Sequence, residues 1–193
     1  MAGPRTVREI LSLALDDEEE TRETAYKASR ELIKQCRQFI SLCVDGKEVD
    51  EGVLARDAEK ILSIFSNRDI RSYPFVEDSL TEYAEAVILS RILHSGEIPL
   101  PQEIGVNERA YALGVCDAVG ELRRVTLNRL IGRDIEGALS SYERMRDLFS
   151  VVEGLTYPSG MIQLKRKQDS ARSSIDRTQG EISVALSGMK MIQ

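Results

Sequence analysis

The sequence predicts an all-α bundle, and three observations carry that expectation. Apolar residues recur three and four positions apart through long segments, the period of one helix face. The 193 residues include only five prolines, so long stretches run without a helix breaker. No strand-like alternation persists, while Ala, Leu, Glu, Arg and Lys, all good helix formers, are plentiful. The length suits a single domain over residues 1–193 with a sizeable core.

About seven helices follow in order from the periodicity and the breakers. Pro4 opens a short helix through Ala14. The acidic run Asp16 to Glu20 opens a long helix to Val44, its acids complementing the helix dipole. Asp45-Gly46 ends it. A third helix spans about Val49 to Phe65 and stops at Ser66-Asn67. Pro74 suits the first turn of a fourth, which ends near His94-Ser95-Gly96. Ile98 to Val106, with two prolines and a glycine, reads as a loop. Asn107 is a natural N-cap for the fifth helix, which ends at Gly132. The sixth spans about Asp134 to Val152 and the last about Met161 to Leu186, with Gly180 as a weak point.

Composition narrows the function classes. Hydrophobic residues make up 42% and charged residues 30%, a soluble globular balance. The net charge of −6 argues against non-specific nucleic-acid binding but leaves room for a local basic surface. Cys36, Cys43 and Cys116 lack metal spacing and read as reduced, mostly buried thiols of a cytoplasmic protein. MAGPRTVREI has no apolar run after its charges, so no signal peptide is expected, and no segment is long enough to span a membrane. No Gly-rich nucleotide-binding loop occurs.

The chemistry concentrates in two acidic pairs. Glu82 and Glu85 lie in TEYAEA on the fourth helix, where they share a stripe with Leu89 and Ile92. Asp117 and Glu121 lie in GVCDAVGELRR on the fifth, sharing a stripe with Ala110 and Gly114. Each pair sits on one helix face. Gly114 and Ala118 leave little bulk beside Asp117, so another backbone can approach closely there. Two such helices side by side would gather four carboxylates that cannot all stay ionised without a cation or shared protons. Three readings stand: exposed acids on solvated helix faces, against which the apolar and small neighbours argue, structural ion pairs with Arg91, Arg123 or Arg124, or a divalent metal site. All-oxygen ligation would suit Mg²⁺, with Mn²⁺ as the other hard candidate, and phosphodiester hydrolysis is the obvious chemistry. A di-iron site would want two Glu-x-x-His motifs, and the chain has one histidine, His94, with Arg91 three positions before it.

A basic stripe runs along the long early helix. Lys27, Arg30, Lys34 and Arg37 share one face, opposite Ala25, Leu32, Cys36, Phe39 and Cys43. The stripe is either a solvated face, partly neutralised by Glu23 and Glu31, or a track for a phosphate backbone. Arg123, Arg124, Arg129 and Arg133 follow the second acidic pair, where they suit a polyanionic substrate or answer the helix dipole. Lys165, Arg166 and Lys167 read as a solvated run. Tyr73, Phe75 and Tyr83 offer rings for base stacking or for core packing.

With these residues in view, the chain resembles the translin family, above all the branch of translin-associated factor X (Trax). The main match is YALGVCDAVGELRRVTLNRLIGRD, Tyr111 to Asp134. The second is EYAEA, Glu82 to Ala86, and the third KASRELIKQCRQFI in the early helix. The likeness extends from about Thr21 to Ile182. It implies a seven-helix, all-α protein assembled into a hollow homo-octamer. In the Trax branch it implies a Mg-dependent endoribonuclease on single-stranded RNA, with the active site inside the shell. Carried over by motif, Glu82, Glu85, Asp117 and Glu121 are the metal-binding catalytic acids. Lys27, Arg30, Lys34 and Arg37, with Arg123 and Arg124, then hold single-stranded RNA or a short duplex. The alternative is a non-catalytic, translin-like nucleic-acid-binding assembly. The chain departs from animal Trax in lacking a long insertion after the fourth helix and an extended basic amino-terminal tail. Its compactness resembles archaeal members, for which a translin-type partner is not required.

Overall fold

A computed structural model describes residues 3–65 and 69–190. Among them are six α-helices and one short 3-10 turn, with no strand. The helices are α1 (Pro4–Val44), α2 (Glu51–Ile64), α3 (Pro74–His94), α4 (Glu108–Ile131), α5 (Ile135–Glu153) and α6 (Leu164–Lys190); the 3-10 turn, Ile70–Ser72, precedes α3.

The all-helical class is as expected, but the count is one fewer than seven. The two helices expected over Pro4–Ala14 and Asp16–Val44 are a single continuous α1. Nothing between Ala14 and Asp16 can stop a helix: no Gly or Pro intervenes, and the good helix formers Glu18, Glu19 and Glu20 carry the helix past the two less favourable aspartates. They therefore sit mid-helix rather than in a first turn. The first half of α1 buries little: Ile10, Leu11, Leu13 and Leu15 are exposed, and core burial begins at Ala25.

Other boundaries follow local chemistry. Gly46, with φ +70°, supplies the left-handed residue that ends α1. Gly96, with φ +77°, does the same after α3 and donates its amide to Arg91 and Ile92 carbonyls. Asn107 caps α4 by accepting the Ala110 amide at 2.9 Å, and Asp134 caps α5 by accepting the Gly137 amide at 2.9 Å. The expected stop at Ser66-Asn67 lies outside the described residues; α2 itself ends at Ile64. Gly180 leaves α6 unbroken.

α4 is the hub. It packs against α3, α5 and α6, while α3 also packs on α1, and α1 on α2. α3 is accordingly buried nearly all round, from Val76 to Ile92. Leu80, Ile88, Leu89, Leu122, Met145 and Leu148 fill the centre of the core. Tyr73 and Phe75 join an aromatic cluster with Phe65 and Tyr26, and Tyr83 is buried, so these rings serve packing. His94 ends α3, its Nδ1 lying 2.8 Å from the Ser90 carbonyl. The three cysteines are free and buried, as expected. Among the described residues no helix is long and apolar enough to cross a membrane.

Candidate active site

The two acidic pairs meet because α3 and α4 approach unusually closely. A Cβ built on Gly114 would lie 2.8 Å from the Ala84 Cβ, 2.9 Å from the Glu85 nitrogen and 3.0 Å from the Thr81 carbonyl oxygen. Only glycine permits that contact. It sits one turn from Asp117 on α4 and directly against Glu85 on α3, so it brings the two acidic stripes together.

Glu82, Glu85, Asp117 and Glu121 line one cavity of about 380 Å³. Cys116 and Gly120 of α4 complete that wall, and Ser170, Ala171 and Ser174 of α6 form the third side. The α6 contribution was not foreseen from sequence.

The four acids differ in environment. Glu85 is the deepest, 9% exposed, and no basic side chain among the described residues pairs with it. Burial first, then the charges of Asp117, Glu82 and Glu121, push its carboxyl up to about 8, against a smaller opposing pull from Lys167. Glu121 is raised by burial, although Arg124 opposes the shift. Arg124 donates to it at 2.6 Å. Glu82 accepts from Arg37 of α1 at 3.4 Å. Asp117 accepts from the Lys167 ammonium of α6. Of the ion pairs considered from sequence, only that with Arg124 forms: Arg91 pairs with Glu51, and Arg123 with Glu181. Lys167 departs from the solvated run expected of it, because α6 lays it against Asp117.

Among the described residues, no three His, Cys, Asp or Glu side chains gather tightly enough to hold a metal ion. The chain's own cations take up three of the four acids instead. The donor chemistry still fits a hard divalent cation. The donors are all oxygen, and Glu85, unpaired and held protonated by burial first and by the neighbouring carboxylates second, is a group that a dication would favour in its ionised form.

The Translin family model matches residues 20–180. The chain belongs to the Translin family. This Translin-family chain is 27% identical over 184 residues to an uncharacterized protein of Methanocaldococcus jannaschii, covering 92% of this chain and 82% of that one. Its fold is similar to that of AfC3PO in complex with duplex RNA (TM-score 0.76, 28% identity, 93% and 96% of the two chains). It is also similar in fold to apo-NeC3PO (TM-score 0.80, 22% identity, 96% and 99%).

The basic residues of the Translin-family chain divide into two sets. Lys27, Arg30, Lys34 and Arg37 line a shallow, open groove on the exposed face of α1, with Tyr26, Glu31 and Gln38 beside them. Lys27 pairs with Glu23 and Lys34 with Glu31, both on the exposed surface, and the Arg30 guanidinium lies 5.9 Å from the Tyr26 ring centre. Arg37 links this groove to the carboxylate pocket through Glu82. Arg124 borders the pocket through Glu121. Arg123 faces α6, where it donates to both Glu181 carboxylate oxygens, at 2.6 and 2.8 Å, and to the Thr178 hydroxyl at 2.8 Å.

Proposed function

We propose that this protein is a Mg²⁺-dependent endoribonuclease acting on single-stranded RNA or short duplexes, within a homo-oligomer of the octameric kind. The observation that carries this reading is the cavity between α3, α4 and α6, which Glu82, Glu85, Asp117 and Glu121 all line. A binding shell has no use for four acids in one pocket, since they repel a phosphate backbone. The complete acidic set is what relates the chain to the Trax branch. The likeness to AfC3PO, solved with duplex RNA, supports an RNA ligand.

Glu82, Glu85, Asp117 and Glu121 would hold the cation, with Mn²⁺ as the alternative ion. When bound, the cation supplies neutralisation of charge on the scissile phosphate and a more acidic water. The chain's own residues do the rest. Lys27, Arg30, Lys34 and Arg37 hold the phosphate backbone along α1. Arg37, already beside Glu82, leads the strand from that groove toward the pocket. Glu85, deepest in the pocket, carries a proton near neutral pH and gives it up when positive charge enters. Arg124 stands beside Glu121 to meet charge developing on the phosphate.

The test is cleavage of a labelled single-stranded RNA with Mg²⁺ and with a chelator, by the parent, Asp117→Asn and Glu121→Gln, with RNA binding measured separately. Cutting by the parent that needs Mg²⁺ and fails in both variants, with binding retained, is the expected result. Tight binding without cutting by the parent would instead select the non-catalytic assembly. That second reading draws on the ion pairs that occupy Glu82, Asp117 and Glu121.

A further inference from the structure

Lys167 sits where helix physics does not favour it. It lies in the first turn of α6, which contains no acidic residue. A cation at a helix N-terminus opposes the helix dipole. Its neighbours on that turn do not explain its position either: Lys165 is exposed and pairs with Asp169 one turn on. Lys167 instead turns inward. Its side chain is only 33% exposed, and its ammonium donates to Asp117 across the α4–α6 seam.

The other cations at the pocket are placed differently. Arg124 lies on the same helix as the acid it serves and is half exposed, and Arg37 is 70% exposed on α1. Both can swing into solvent while keeping their aliphatic stems on the surface. Lys167 alone comes from the far wall. Its charge reaches beyond Asp117, for it also acts on Glu85 and on the Cys116 thiol.

We propose that Lys167 is the built-in counter-cation of the carboxylate pocket, a positioning residue that holds Asp117 against α6 and competes with the divalent cation for it. This rests on the reading of the pocket as a metal site. Without Lys167 four acids would face one another around a cavity with less compensating charge. With it, Asp117 is held in place on α4, and the pocket tolerates the metal-free state. Entry of a dication then requires the ammonium to release Asp117. An ammonium and a dication a few ångströms apart in a partly buried site repel each other. Lys167 therefore lowers metal affinity and sets the cation concentration at which the site fills.

The experiment is titration of the full-length protein with Mn²⁺ alone, without RNA, read by the spin-resonance signal of free Mn²⁺ and by calorimetry. Parent, Lys167→Met, Lys167→Gln and Lys167→Arg are compared. Removal of the charge in Lys167→Met should tighten Mn²⁺ binding by about tenfold or more. Lys167→Gln should move the same way, and Lys167→Arg, which restores the charge, should bind like the parent. Thermal unfolding gives the second readout: without Mn²⁺ the Met and Gln variants should melt below the parent, and saturating Mn²⁺ should raise them by a larger increment. If Lys167→Met and Lys167→Gln bind Mn²⁺ no more tightly than the parent, Lys167 is a structural ion pair and the competition is overturned while the metal site stands. If no protein in the series, the parent included, binds Mn²⁺, the metal site itself is refuted and the inference with it. Should Lys167→Met fail to fold, the contrast between Gln and Arg decides.

Discussion

The amide nitrogen of Glu85 lies so near Gly114 that a Cβ on the glycine would stand 2.9 Å from it. α3 and α4 are thus in tight backbone contact at the level of the candidate site. Gly114→Ala would need the helices to part, because the atoms it meets are backbone and a methyl group that cannot swing away. The gain in helix propensity from Gly to Ala, up to about 1 kcal/mol, offsets part of the strain. We expect a net loss of about 1–3 kcal/mol, typical of overpacking, measured by urea unfolding. Gly120, whose Cβ would meet nothing within 4 Å, is the control: Gly120→Ala should be neutral or stabilising.

Glu85 should leave a signature in stability against pH. Its folded carboxyl titrates at about 8 against the usual 4.5, so the folded state holds a proton that the unfolded state has lost across that interval. Its contribution to stability is therefore fully present below the ordinary carboxylate range and is lost as pH rises through 8. The metal-free parent should become less stable between pH 5 and 8, relative to Glu85→Gln, which cannot ionise. Equal pH slopes for the two proteins, from chemical denaturation at several pH values, would show that Glu85 titrates normally.

The cysteines make a reactivity prediction. Burial raises all three thiols, Cys43 to about 11 and Cys116 to about 12, and Cys36 feels Glu82 and Glu85 as well. The thiolate is the reactive form. In folded protein at pH 8, iodoacetamide should label them orders of magnitude more slowly than a free thiol, and urea should restore normal rates. Fast labelling of Cys116 in the native state would mean that α4 and α6 separate readily.

Much of this was legible in the sequence, for identifiable reasons. The α3–α4 contact could be anticipated because Gly114 and Ala118 are small and lie beside Asp117, and small residues admit a neighbouring backbone. The caps at Asn107 and the stop at Gly46 are short-range chemistry. What could not be read was long-range pairing. Lys167 lies 50 residues from Asp117, inside what reads locally as a solvated basic run. Arg123, next to the buried Leu122 on α4, suits from sequence a polyanionic substrate or the helix dipole, and its partner Glu181 on α6 lies 58 residues away. The merging of the first two helices was missed for another reason. An acidic run suits a helix start, but its glutamates also serve a helix interior, and the absence of Gly or Pro before it lets the helix run straight through.

Arg37 and Arg123 separate RNA contact from fold support. Arg37 is exposed at the junction of the α1 groove and the carboxylate pocket. Arg123 is 19% exposed and held by Glu181 and Thr178. Each phosphate neutralised by a basic side chain steepens the dependence of log K on log salt by about 0.7 for a single strand. Arg37→Ala should therefore weaken single-stranded RNA binding and flatten that slope by about 0.7, with little change in stability. Arg123→Ala should leave the slope unchanged and cost about 1 kcal/mol in unfolding free energy, the worth of a partly exposed hydrogen-bonded ion pair. Fluorescence anisotropy across a salt series, beside a urea melt of each variant, measures both quantities. If Arg123→Ala flattened the slope as Arg37→Ala does, its guanidinium would have to leave Glu181 for the RNA, and the α4–α6 seam would open on binding.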